Sequence, residues 1–116
     1  MSLTREEREA AARARLAGLA AKFIERTAGE LAALREALAR LSAGDAHALA
    51  EIRHLAHRMS GTGATLGFDT LSDCGSRIEQ IADAQAPAEM PDAAAMLLLG
   101  TAVDALDVEI GRLQKS

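Results

Sequence analysis

His57 is the residue best placed to do chemistry, because the run Ala56-His57-Arg58-Met59-Ser60-Gly61-Thr62-Gly63-Ala64 surrounds one imidazole with very small side chains. A neutral imidazole keeps one ring nitrogen with a free lone pair, which makes it a nucleophile near neutral pH. On a helix advancing about 100° per residue, His57 lies roughly 130° from the centre of the apolar seam and faces solvent. Helical side chains lean toward the N-terminus, so the residue four positions later would normally lie against the ring. That residue is Gly61, and Ala46, Ala50 and Ala64 keep the rest of the face low. An uncovered nucleophile on a low-relief surface can be reached by another protein. Phosphoryl transfer suits it, since that chemistry depends chiefly on in-line positioning and on charge stabilisation that a partner can supply.

The other candidates are weaker. Ser60, one turn after His57, offers a hydroxyl donor, and Arg58, Arg53 and Arg77 are the cations available to balance phosphate charge. His47 and His54 fall on a more exposed arc and read as solvated surface residues. Glu51 and His54 have the Glu-x-x-His spacing of di-iron bundles, but the chain contains no second such pair, so no metal site is expected. The lone Cys74 reads as a small core residue.

Positioning His57 requires a set of helices. Thr4-Arg5-Glu6-Glu7 fits a capping box and opens a helical pattern that runs to about Leu41. Gly18 and Gly29 each weaken it by ~1 kcal/mol relative to alanine. The expectation is therefore a short first helix, a break between Arg15 and Gly29, and a longer helix with Phe23, Leu31, Leu34, Leu38 and Leu41 inside. Ser42-Ala43-Gly44-Asp45 is a turn, with Asp45 as N-cap of the next helix. That helix runs from about Ala46 to Leu66, carries the seam Leu49, Ile52, Ala56, Met59, Gly63 and Leu66, and stops at Gly67. Thr70 and Asp73 form a cap-like pair for a further helix whose inner face is Leu71, Cys74, Gly75, Ile78 and Ala82. Gly75 permits close approach to the helix of His57. Gln85 to Pro91 reads as a loop. Asp92 caps a last helix with Met96, Leu99, Val103, Leu106, Ile110 and Leu113 inside. Long helices joined by short turns lie antiparallel, which predicts an all-α, up-and-down four-helix bundle with a short additional N-terminal helix.

Composition agrees with a helical class. The chain has 116 residues, enough for one domain spanning residues 1–116, and it is rich in alanine and leucine, with Phe23 and Phe68 its only aromatics. A formal charge of −4 and the absence of an aromatic ladder argue against nucleic-acid binding. One cysteine cannot form an intramolecular disulfide, no apolar run approaches the ~20 residues needed to span a bilayer, and the N-terminus lacks a signal-peptide core. A cytoplasmic monomer away from membranes is expected.

The stretch from Ala56 to Phe68 resembles the phosphoacceptor signature of histidine-containing phosphotransfer (HPt) domains. Ala56, His57, Met59, Gly61, Leu66 and Gly67 occupy the family's positions, while Ser60 stands where it usually carries Lys or Arg. Leu71-Ser72-Asp73-Cys74-Gly75-Ser76-Arg77-Ile78-Glu79 resembles the family's following helix, and Phe23-Ile24-Glu25 suits the preceding one. The resemblance implies a phosphorelay intermediate. His57 would exchange a phosphoryl group with aspartates of response-regulator receiver domains, some of them borne by a hybrid sensor kinase, without autonomous kinase activity. It also implies that this chain binds no cofactor, the receiver bringing Mg²⁺. Ser60, Gly61, Arg58, Arg53 and Ala64 would support phosphate charge or docking. Two other readings are the phosphoacceptor domain of a chemotaxis-type histidine kinase and a non-phosphorylated bundle that docks and regulates a receiver.

Overall fold

The computed structural model describes residues 2–85 and 90–116, and within them four helices follow one another: α1 (Arg5–Ser42), α2 (Ala48–Thr65), α3 (Asp69–Asp83) and α4 (Ala93–Lys115). α1 packs on α2 and α4, and α3 packs on α2 and α4, so the helices form a closed ring. The core runs through the middle of that ring. Leu34 and Leu41 of α1 meet Ile52 and Met59 of α2, Leu71 and Ile78 of α3, and Leu99 and Leu106 of α4, all fully buried. The fold is the expected all-α four-helix bundle.

The separate N-terminal helix does not exist. α1 is one continuous helix of 38 residues, opened by the Thr4–Glu7 capping box as read from the sequence. Two glycines cost ~1 kcal/mol each, but they stand among alanine, leucine, arginine and glutamate, which favour helix, and no proline interrupts them. Two i,i+4 pairs, Arg5–Glu9 at 3.0 Å and Arg26–Glu30 at 3.3 Å, add a little. The first buried side chain of α1 is Phe23, and Leu16 and Leu19 are 61% and 53% exposed. The N-terminal half therefore projects beyond the bundle, and the molecule is 62 Å long but only 25 by 18 Å across.

Both short turns use the same device. Gly44 (φ +107°) and Gly67 (φ +83°) adopt the left-handed conformation that glycine enters without a Cβ penalty. Each follows its helix with a paired set of backbone bonds. The amide of Asp45 reaches the Arg40 carbonyl and that of Gly44 reaches Leu41, while Phe68 reaches Gly63 and Gly67 reaches Ala64. This geometry shifts two of the expected caps. The Asp45 carboxylate accepts from the His47 amide at 3.1 Å and shapes the turn, so α2 begins only at Ala48, with His47 in the N-cap position. Gly67 delivers the chain directly into α3 through Phe68, so Thr70 and Asp73 lie inside the helix rather than capping it. Asp92 does cap α4, accepting from the Ala95 amide at 2.8 Å. Of the expected loop, Gln85, Met90 and Pro91 are non-helical and residues 86–89 lie outside the described residues.

Candidate functional site

α2 and α3 pack closely at Gly75. A Cβ there would meet the Ala56 carbonyl oxygen at 3.0 Å and the Ser60 nitrogen at 3.1 Å, so only glycine permits this separation without displacing a backbone. With the register set at that point, the antiparallel helices carry polar side chains opposite one another at successive turns. The Ser60 and Ser76 hydroxyls are hydrogen-bonded at 2.6 Å. Next, His57 Nδ1 lies 2.6 Å from Glu79 Oε2. Beyond that, Arg53 pairs with Asp83 at 3.6 Å. The Ser72 hydroxyl donates to the Ser60 carbonyl at 2.8 Å.

His57 thus has one side held and the other free. Its side chain is 71% exposed, whereas Glu79 is 25% exposed and anchored beside buried Ile78. An ionised carboxylate only accepts, so in the neutral ring this contact puts the proton on Nδ1 and leaves the lone pair on Nε2. His57 also lines a groove of about 490 Å³ between α1 and α2, together with Arg26 and Glu30 and with Arg58, Gly61, Thr62 and Thr65. A Cβ on Gly61 would meet nothing within 4 Å, so the residue expected to uncover the imidazole does face open space. The groove continues past Arg26, Thr62 and Thr65 to Leu19, Lys22, Phe23 and Leu66.

The sequence-derived residues divide between these two sides. Arg58 and Gly61 share the groove with His57. Ala64 is exposed but does not line it. The Ser60 hydroxyl is half-buried in the seam with Ser72 and Ser76, and Arg53 is turned toward Asp83, so neither enters the groove. His47 and His54 are exposed, and among the described residues no three His, Cys, Asp or Glu side chains converge as a metal site. Burial pushes the Cys74 thiol above its ordinary range, helped by Glu109 and Asp73.

Two participants in the site carry no local signal of that role in the sequence. Glu79 stands in the sequence only as the last residue of the stretch from Leu71 that resembles the family's following helix; its partnership with His57 follows once Gly75 sets the register. Arg26 comes from α1, and nothing local in the sequence links it to His57. It is held by Glu30 and lies over the Phe23 ring, 5.6 Å from the centroid, and Phe23 in turn stacks on Phe68 at 5.5 Å.

The model of the Hpt domain matches residues 18–112, which takes in most of α1, all of α2 and α3, and α4 to within a turn of its end. The chain belongs to the Hpt domain family. Comparison with curated proteins and with solved structures returns no match. Membership supports a histidine phosphotransfer role in two-component signalling, and Hpt domains interact with receiver domains in general. Among the described residues, no helix of this Hpt domain is long and apolar enough to cross a membrane.

Proposed function

We propose that His57 is the phosphoacceptor and that the chain relays a phosphoryl group to and from aspartates of response-regulator receiver domains, as a cytoplasmic monomer. The observation that carries this reading is the hydrogen bond from His57 Nδ1 to Glu79, which orients the ring and leaves Nε2 unpartnered over an open groove. In transfer, Nε2 attacks the phosphorus of the receiver's aspartyl phosphate in line. The N–P bond forms as the P–O bond to the carboxylate breaks, and the aspartate leaves as a free carboxylate. The proton on Nδ1 stays shared with Glu79, whose negative charge balances the positive charge the ring acquires. The receiver supplies Mg²⁺ and further positive charge, so this chain contributes the nucleophile and its orientation.

Incubation with phosphorylated receivers and Mg²⁺ tests the reading. Acid-labile, base-stable label should appear on the wild-type chain and be absent from His57→Gln, whose stability should change by less than ~0.5 kcal/mol because the site is exposed. His47→Gln and His54→Gln should label normally. A chain that binds receivers but takes no label would be a docking module instead.

A further inference from the structure

Phosphorylation of His57 places a dianion on a bundle whose usual neighbouring cation is replaced by Ser60, and the structure shows that Ser60 does not substitute for it. Its hydroxyl is committed to Ser76 and Ser72 in the seam, on the side opposite the groove. Arg53 is committed to Asp83, and Arg77 is exposed on α3, outside the groove. Because Glu79 holds Nδ1 from the α3 side, the phosphoryl group on Nε2 is directed into the groove, which Arg26, Glu30 and Arg58 share.

We propose that Arg26, reaching across from α1, is the side chain that neutralises the phosphoryl group on His57. The proposal rests on the phosphoacceptor reading above. Two cations line the groove beside His57, and they differ in how well they are ordered. Arg58 makes no ion pair or side-chain hydrogen bond among the described residues. Ordering it around a phosphate would cost rotamer entropy. Arg26 is already placed, its guanidinium over the Phe23 ring and 3.3 Å from the carboxylate of Glu30, which itself is 14% exposed. An incoming dianion competes with the Glu30 carboxylate for that guanidinium and presents oxygens that match its planar fork. Arg26 is a positioning and charge-balancing residue at this site, and Glu30 holds it in the unphosphorylated state.

The experiment uses the full chain carrying His47→Gln and His54→Gln, phosphorylated chemically with phosphoramidate, so that His57 alone is modified, ammonia leaves and no receiver is needed. Phosphorus NMR then follows the last ionisation of the phosphoryl group. Four charged groups surround it: Arg26 and Glu30 from α1, Arg58 from α2 and Glu79 from α3. A nearby cation favours the dianion and lowers the midpoint, so Arg26→Ala should raise it by about half a pH unit at low salt. Arg26→Lys should recover much of the shift, and Glu30→Gln should lower the midpoint slightly below wild type. Adding Ser60→Lys to the Arg26→Ala variant should restore it by returning a cation from the other side. Equal midpoints for wild type and Arg26→Ala would overturn the proposal, and a shift in Arg58→Ala alone would transfer the role to Arg58. Since phosphoramidate bypasses the receiver, a chain that titrates as expected yet accepts nothing from any receiver would refute the relay function while leaving the Arg26 assignment standing.

Discussion

The two flanks of His57 are built on opposite plans, although both belong to the same short stretch of α2. Toward α3 the packing is close and specific: Gly75 lies against the α2 backbone and polar partners face each other at three successive turns. Toward α1 the surface is open and charged, with Gly61 and, from α1, Arg26 among the residues that line it. A transferable phosphoryl group needs both. The closed side fixes which ring nitrogen reacts, and the open side admits the partner. A bundle tight on both sides would bury the histidine, and one loose on both would leave its ring to rotate freely.

The contrast is sharpest in the two glycines, and exchanging them for leucine should break it in opposite ways. Gly61→Leu should fold at least as well as wild type, since leucine favours helix by ~1 kcal/mol and meets open space. Its side chain should nevertheless cover the imidazole and cut phosphoryl acceptance from receivers by about a hundredfold or more, a misplacement effect of the kind that positioning allows. Receiver-dependent labelling alongside a thermal melt checks both halves. Wild-type transfer by this variant would mean that receivers do not use the groove.

Gly75→Leu should instead damage the fold. Its Cβ alone would press on backbone atoms of Ala56 and Ser60, and overpacking of this kind costs about 1–3 kcal/mol. Urea unfolding should show that loss. Transfer should also fall, because the seam that carries Glu79 would be pushed away from α2. An undiminished unfolding midpoint would show that α2 and α3 separate without cost.

The smallest expected effect comes from Glu79→Gln. Glutamine keeps the size and can still accept from Nδ1, but it loses the charge that strengthens the bond and balances the ring during attack. A charge-assisted hydrogen bond exceeds a neutral one by about 1 kcal/mol, so transfer should slow roughly fivefold with little change in stability. Glu79→Ala should slow it further. Nitrogen NMR of His57 should show the ring as a defined tautomer, protonated at Nδ1, in wild type and as a mixture in the alanine variant. A mixture already in the wild type would remove the orienting role of Glu79.

Much of this molecule was determined by its sequence alone, wherever the controlling interaction is local. Apolar residues at alternating spacings of three and four placed the inner faces of α2, α3 and α4. Glycines that need a left-handed backbone ended α1 and α2, and the Thr4 and Asp92 caps were legible because each side chain bonds an amide three residues away. The exposure of His57 followed from helical geometry, and the small neighbour at Gly61 from simple spacing. Where local signals competed, the reading erred. Two glycines predicted a break in α1, yet the propensity of the surrounding residues outweighs them, and the caps proposed at Asp45 and Thr70 gave way to the turns made by Gly44 and Gly67. The tertiary structure alone decided which side chains meet across helices. The pairing of His57 with Glu79 depends on the register of two helices held by Gly75, and the diversion of Ser60 to Ser72 and Ser76 depends on the same contact. Arg26 reaches the groove of His57 from 31 residues earlier in the chain. Periodicity states which face of a helix is buried, but not how far each helix slides along its neighbour, and that sliding determines the chemistry around the imidazole.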